Sequence, residues 1–197
     1  APGGIRIVDT NNDGSLTPED RVALGTPYPD FTWGITNTFQ IKDFDISFLI
    51  QGVQGITVLN GDVYYNETKK WNKKYTKNRW VSAEHPGDGK TPYQNVKTGH
   101  DLMLTDYPLQ NASYACLRNF TVGYTLPATA ARKIKLSGVR FYVSGSNLFY
   151  IWGSGYKGIN PESRMTSGDY SSAMISGYQR GGFPLTSTIS AGFDINF

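Results

Sequence analysis

An acidic segment near the start of the chain holds the residues best suited to chemistry. It reads Asp9-Thr-Asn-Asn-Asp-Gly-Ser-Leu-Thr-Pro-Glu-Asp20. Oxygen-bearing side chains occupy positions one, three, five and twelve of this segment, and glycine occupies position six, where a twelve-residue calcium loop turns sharply. We therefore predict a calcium site whose ligands are Asp9, Asn11, Asp13, the backbone carbonyl of Ser15, and Asp20.

The end of the same segment predicts a helix start that would bring Asp20 back toward the loop. Thr17 suits the N-cap position and Pro18 suits the first helical position. Position twelve is Asp rather than the bidentate Glu of EF-hands, so the loop is more similar to the dockerin type and indicates a structural calcium site. The alternative is an Asx-rich turn that binds no metal.

Aromatic side chains in the middle of the chain are the candidates for substrate contact, because they could stack on sugar rings. They are Tyr64, Tyr65, Trp71, Trp80 and Tyr93. The alternative is that they only hold a large loop together. Neither histidine, His85 or His100, has a carboxylate or serine at a catalytic spacing, so we predict that the chain is not an enzyme.

The composition excludes two broad classes of protein. A net charge of +3 is too small to indicate nucleic-acid binding. A mean hydropathy of −0.39 excludes a transmembrane helix but is compatible with membrane strands, whose alternating residues average to a polar value. The start, Ala1-Pro-Gly-Gly, does not resemble a signal peptide, so we expect the sequence to begin inside a longer precursor.

The last thirteen residues, 185–197, predict a long two-faced strand. Ile189, Phe193 and Ile195 fall on one face, while Thr186, Thr188, Ser190, Asp194 and Asn196 fall on the other. A strand of this length extends roughly 40 Å. Even when tilted, it would cross an apolar band about 25 Å tall. We therefore expect the apolar face to meet lipid and the polar face to meet a lumen.

Similar alternation predicts five strands, at 31–40, 44–52, 117–127, 138–150 and 185–197, with a break in phase near Gly145 to Leu148. Residues 1–30 form an external loop with the calcium motif, and 53–113 and 151–184 form further long loops. Short and long connections alternate, as they do in outer-membrane barrels. Since such barrels have at least eight strands, five must be completed by others. The predicted fold class is therefore all-β, a section of a large antiparallel transmembrane β-barrel.

Several segments in order along the chain resemble the end of the SusC/RagA family of TonB-dependent outer-membrane transporters of Bacteroidota. They are Val8–Gly14, Pro27–Gly34, Asp43–Gly52, Leu117–Pro127, Val143–Phe149, Gly158–Glu162 and the terminal strand. The resemblance implies the last five strands of a twenty-two-stranded barrel in the bacterial cell outer membrane. It also implies import of oligosaccharides, glycans or peptides with a SusD-like lipoprotein as lid. Energy would come from the TonB complex through a plug outside this sequence.

The end of the chain carries a further resemblance, to the closing strands of bacterial outer-membrane barrels. In such strands a terminal Phe is part of the signal read during barrel assembly, which points here to Phe193, Ile195 and Phe197. A second hypothesis is a secreted, calcium-stabilised β-sandwich that binds carbohydrate. It accounts for the aromatic residues and the metal loop but leaves the strand lengths and the terminal Phe unexplained.

Overall fold

The computed structural model describes residues 2–63, 77–93, 105–163, 177–180 and 182–197. Within these ranges the strands are β1 Phe31–Ile41, β2 Phe44–Gln54, β3 Thr57–Asn60, β4 Leu109–Asn111, β5 Tyr114–Thr125, β6 Gly138–Trp152, β7 Tyr178–Gln179 and β8 Thr188–Asn196. A 3₁₀ turn spans Pro18–Asp20, residues 61–63 are helical, and a short α-helix, α1, spans Ala128–Lys133. No helix in the described ranges is both long and apolar enough to cross a membrane.

The chain divides into two compact units, each made of three segments. The sheet unit comprises Pro29–Gln54, Ser113–Gly153 and Pro184–Phe197, and the loop unit comprises Ala1–Tyr28, Gly55–Ala112 and Ser154–Phe183. Backbone hydrogen bonds join the three segments of the loop unit: the Thr57 N–H donates to the Thr26 carbonyl at 2.8 Å, and the Leu59 N–H donates to the Gly177 carbonyl at 2.7 Å.

The sheet unit is a single antiparallel sheet in the order β1-β2-β5-β6-β8. Directly opposed residues share a face, and the register places Ile46, Val122, Val143 and Ala191 in one row. We call this side the apolar face; its members include Ile35, Phe39, Phe48, Phe120, Phe141, Ile189, Phe193 and Ile195. The opposite side is the polar face; its members include Asp45, Ser47, Gln51, Asn119, Thr121, Arg140, Tyr142, Ser144, Ser190 and Asp194.

Local backbone conformation sets the β1–β2 turn, the irregularity in β6 and the start of β8. β1 and β2 are joined by a tight turn in which Lys42 adopts a left-handed conformation with φ of 55°. The predicted break in phase lies at Asn147, whose φ is 54°, opposite the bulged residue Arg118. β8 begins at Thr188 rather than the predicted Leu185, because its pairing with β6 stops next to this bulge. Ser187 instead donates its hydroxyl hydrogen to the Asn147 carbonyl at 2.7 Å.

Two features of the fold were not predicted. The connection between β5 and β6 contains α1, which begins after Pro127 and buries Ala131 completely. The loop unit contains a small sheet in which β3 pairs antiparallel with β4 and parallel with β7. Val58, on β3, is only 3% exposed. The segments predicted as plain loops therefore have a core of their own.

Candidate functional site

The acidic loop is ordered by hydrogen bonds from its own backbone. The Asp9 carboxylate accepts the N–H of Asn12 at 2.7 Å and that of Gly14 at 2.8 Å. Asp13 accepts the N–H of Ser15 at 2.7 Å. Gly14 has φ of 84°, a left-handed conformation that residues with a Cβ rarely adopt, which explains why glycine is needed at this turn.

Asp20 closes the loop from its other end. Its carboxylate accepts the N–H of Thr17 at 2.8 Å and that of Thr10 at 2.8 Å. Thr17 caps the 3₁₀ turn, as the sequence predicts, and completes a capping box with Asp20. The N–H donors of Thr17 and then Thr10 hold the pKa of Asp20 below its ordinary value. Asp20 therefore does turn back toward the loop, although the helix is a single turn.

The oxygen atoms of the loop suit a hard cation such as calcium. The oxygens of Asp9, Asp13 and Asp20 each already accept a hydrogen bond, and a carboxylate oxygen retains a second acceptor position. Within the described residues, no group of three or more His, Cys, Asp or Glu side chains lies close enough together to hold a metal ion.

Two of the predicted substrate-contacting aromatics pack together inside the loop unit. The Trp80 and Tyr93 rings meet edge to face with their centroids 6.4 Å apart. The Trp80 ring lies against the backbone of Gly3, and the Tyr93 N–H donates to the Gly3 carbonyl at 2.8 Å. These two residues therefore have a packing role. The other three candidates, Tyr64, Tyr65 and Trp71, lie outside the described residues.

The polar face carries an ion pair that the sequence reading missed. Arg140 on β6 donates to both carboxylate oxygens of Asp45 on β2, at 3.0 and 2.6 Å, and to Asp194 on β8 at 3.5 Å. The side chains of Arg140 and Asp45 cross over β5 at Gly123. A Cβ atom at Gly123 would lie 2.4 Å from Asp45 Oδ1 and 2.5 Å from Arg140 Nη2. An isolated glycine inside a strand is the sequence signal for such a close approach.

A second polar cluster surrounds the bulge in β5. Arg118 donates to Gln51 at 3.2 Å, to Asn147 at 2.8 Å and to the Tyr150 hydroxyl at 3.1 Å. Beside it the Tyr150 and Trp152 rings are stacked with centroids 5.9 Å apart. Arg118 and Arg140 thus tie together strands β2, β5, β6 and β8 on the polar face. The alternation pattern could not reveal either cluster, because both depend on register.

The apolar face is open along its length. Ile35 and Val143 are each 53% exposed, and Ile189 is 74% exposed. The predicted assembly residues lie at the end of β8. Phe193 is paired with Phe141, Ile195 is paired with Val139, and Phe197 follows the final pair, Gly138 with Asn196. An exposed and mainly apolar face opposite a polar face is the pattern of a transmembrane β-barrel wall.

The comparisons with known proteins agree with that class. The chain is 30% identical to the TonB-dependent receptor P3 of Formosa agariphila over 204 residues, which cover 100% of the chain and 19% of the receptor. It is 26% identical to the TonB-dependent receptor SusC of Bacteroides thetaiotaomicron, over 97% of the chain and 17% of SusC. No protein-family model matches. The chain therefore spans about a fifth of the length of the curated relatives it matches.

Solved structures show the same fold. The RagAB peptide transporter matches with a TM-score of 0.64 and 21% identity, over 88% of this chain and 18% of the matched chain. The RagAB peptide importer in its closed-closed state matches with a TM-score of 0.64 and 19% identity, over 94% and 20%. The resemblance seen in the sequence is confirmed: the chain is homologous along its length to TonB-dependent receptors such as SusC. The predicted outer-membrane location is confirmed with it.

Proposed function

We propose that this chain is the C-terminal barrel segment of a TonB-dependent importer that carries oligosaccharides, glycans or peptides across the outer membrane of a member of the Bacteroidota. The observation that carries the proposal is similarity over the whole chain to TonB-dependent receptors. The two-faced sheet supports it, since a transporter wall needs one face for lipid and one for a wet lumen. The proposed role is transport, without catalysis.

The barrel wall must be continued by strands from elsewhere in the working protein. In the described part of the chain, β1 and β8 each pair on one side only. An open strand edge in lipid leaves backbone groups unpaired at several kcal/mol each. We propose that both edges bond to strands outside this sequence, and that a plug in the same protein receives energy from the TonB complex.

A SusD-like lipoprotein is the proposed lid. The loop unit offers a suitable surface, because Ile7, Val8, Val22 and Leu24 are each more than half exposed and line one groove of about 530 Å³ with Arg6 and Arg21. Contiguous exposed apolar side chains mark an interaction surface. Co-purification of a lipoprotein with the complete transporter would support this partner, and a transporter active without any lipoprotein would contradict it.

The β-sandwich alternative is less consistent with the sheet. A sandwich packs the apolar face of one sheet against a second sheet about 10 Å away, so its central residues are buried. Here Val143 and Ile189 lie on the apolar face and are more than half exposed. Solubility without detergent distinguishes the two functions. A carbohydrate-binding sandwich stays in solution without detergent, whereas a barrel segment does not.

Calcium at the acidic loop is a second proposal. The ligands are those predicted from the sequence, and the turn set by Gly14 with the return of Asp20 supports them. Titration of the complete protein with calcium should raise its melting temperature. The rise should be smaller for the Asp9→Asn variant, which loses one ligand carboxylate. Glu19→Gln is the matched control, since Glu19 is an exposed acid in the same loop that is absent from the ligand set. An identical response of D9N and E19Q would contradict the site.

The transport proposal is tested by uptake. Cells that express the complete protein should accumulate a labelled oligosaccharide or peptide pool, and dissipating the proton gradient should abolish accumulation because TonB depends on it. A strain lacking the gene is the control. Uptake that survives loss of the gradient, or that is the same in the deletion strain, would refute an energy-coupled importer.

A further inference from the structure

One polar side chain interrupts the apolar face. Asn37 lies on β1 directly opposite Phe48 of β2, in the same row as Phe120. It is exposed, and within the described residues its carboxamide makes no hydrogen bond. The nearest residues of the apolar face on β1 and β2 are the hydrocarbon side chains of Ile35, Phe39 and Phe48. The partner strand β2 therefore offers nothing for the Asn37 amide to bond.

The row that contains Asn37 lies at the middle of the sheet. It continues through Phe120 to Gly145 and Ile189. Gly145 is the central residue of β6, which runs from Gly138 to Trp152. Asn37 is also next to Thr36, the central residue of β1, so if the apolar face meets lipid its carboxamide stands near the middle of the hydrocarbon layer. An amide without a hydrogen-bond partner there is strongly destabilising, because no water is available to replace the missing bond.

Among the described strands, β1 has no neighbour on its other side, so a partner on the barrel wall would lie across the free edge of β1. That edge already requires a strand, because its backbone groups would otherwise be unpaired. On an antiparallel neighbour, the side chain directly opposite Asn37 on the same face would have its Cβ about 4.5–5.5 Å away. This is within reach of a short hydrogen-bonding side chain.

We propose that Asn37 pairs across the free edge of β1 with a hydrogen-bonding side chain, such as Ser, Thr, Asn or Gln, on the adjacent strand of the complete barrel. This inference rests on the proposed function, since it assumes a closed wall. The pair would fix the register between the two strands. If the adjacent strand slipped by one residue, its polar side chain would move to the face opposite Asn37 and the pair would be lost. The pair would therefore select which strand joins β1 and the register in which the two strands pair.

The sign of one substitution tests the pair. Asn37→Leu in the complete protein should lower the urea midpoint of unfolding in lipid vesicles, because the partner side chain is left unsatisfied in the membrane. If Asn37 instead faced lipid alone, leucine would remove an unsatisfied amide and raise the midpoint. Ile35→Leu, on the same face of the same strand, is the control and should change little. A raised or unchanged midpoint for N37L overturns the proposal.

A photo-crosslinking amino acid at position 37 keeps the test informative if N37L fails to fold. An adduct with a strand of the same polypeptide, next to a hydrogen-bonding residue, is expected. Adducts with lipid alone, or with another polypeptide, overturn the pair. Hydrogen exchange separates this failure from that of the proposed function: β1 amides stay protected if the wall is closed and only the Asn37 pair is wrong, but exchange rapidly if the edge is open.

Discussion

Replacing Ile189 by Arg tests which face of the sheet meets lipid. Ile189 on β8 is 74% exposed and lies opposite Gly145, the centre of β6, so it sits near the middle of the apolar face. An Arg on the lipid face at mid-membrane costs about 2–4 kcal/mol. That cost corresponds to a shift of about 30-fold to 700-fold in the unfolding equilibrium.

Ser190→Arg is the matched control, because Ser190 is the next residue and faces Ser144 on the polar face. It is exposed, so the new side chain would extend into the lumen with little penalty. The assay is urea unfolding of the complete protein in lipid vesicles, followed by the loss of its heat-modifiable gel band. Equal midpoints for I189R and S190R, or a larger loss for S190R, would refute the assignment of faces.

Two further predictions concern charged groups. Gly123→Ala should displace the bidentate contact of Arg140 with Asp45 and lower the urea midpoint of unfolding, because a Cβ there would occupy the space of both side chains. Gly34→Ala is the control and should be close to neutral, since a Cβ there meets nothing nearer than 3.8 Å. Equal unfolding midpoints would contradict the close approach. The lowered pKa of Asp20 predicts that its contribution to loop stability is present above the ordinary Asp pKa and is lost as the pH falls through the lowered value. Hydrogen exchange of the Thr10 and Thr17 amides measures this, and protection that is independent of pH, or that survives Asp20→Asn, would refute it.

The parts of the fold that depend on neighbouring residues could be predicted from the sequence. A period of two in β1, β2 and β8 sets the two faces without any knowledge of pairing. Thr17 and Pro18 likewise mark the 3₁₀ turn, because capping is a contact between near neighbours. The bulge at Asn147 was also visible in the sequence, because it shifts the phase of the apolar–polar alternation along β6.

The parts that were missed depend on distant pairings. The Arg140–Asp45 contact joins residues 95 positions apart and forms only if β5 lies between their strands with Gly123 at the crossing. β3 pairs with β7 across more than a hundred residues, and neither strand is long enough to show an alternating pattern. The short helix α1 escaped detection for a similar reason, because six residues contain too little periodicity.

The most direct test of the central claim is to measure which medium contacts each face of β6. Nitroxide labels at Val143 and Ser144, introduced one at a time into the complete protein in lipid vesicles with Cys116 replaced by Ser, report collisions with oxygen and with a water-soluble nickel chelate. The label at Val143 should collide mainly with oxygen, which concentrates in lipid, and the label at Ser144 mainly with nickel. Equal access of nickel to both positions would show that the apolar face is not in the membrane and would contradict the barrel account.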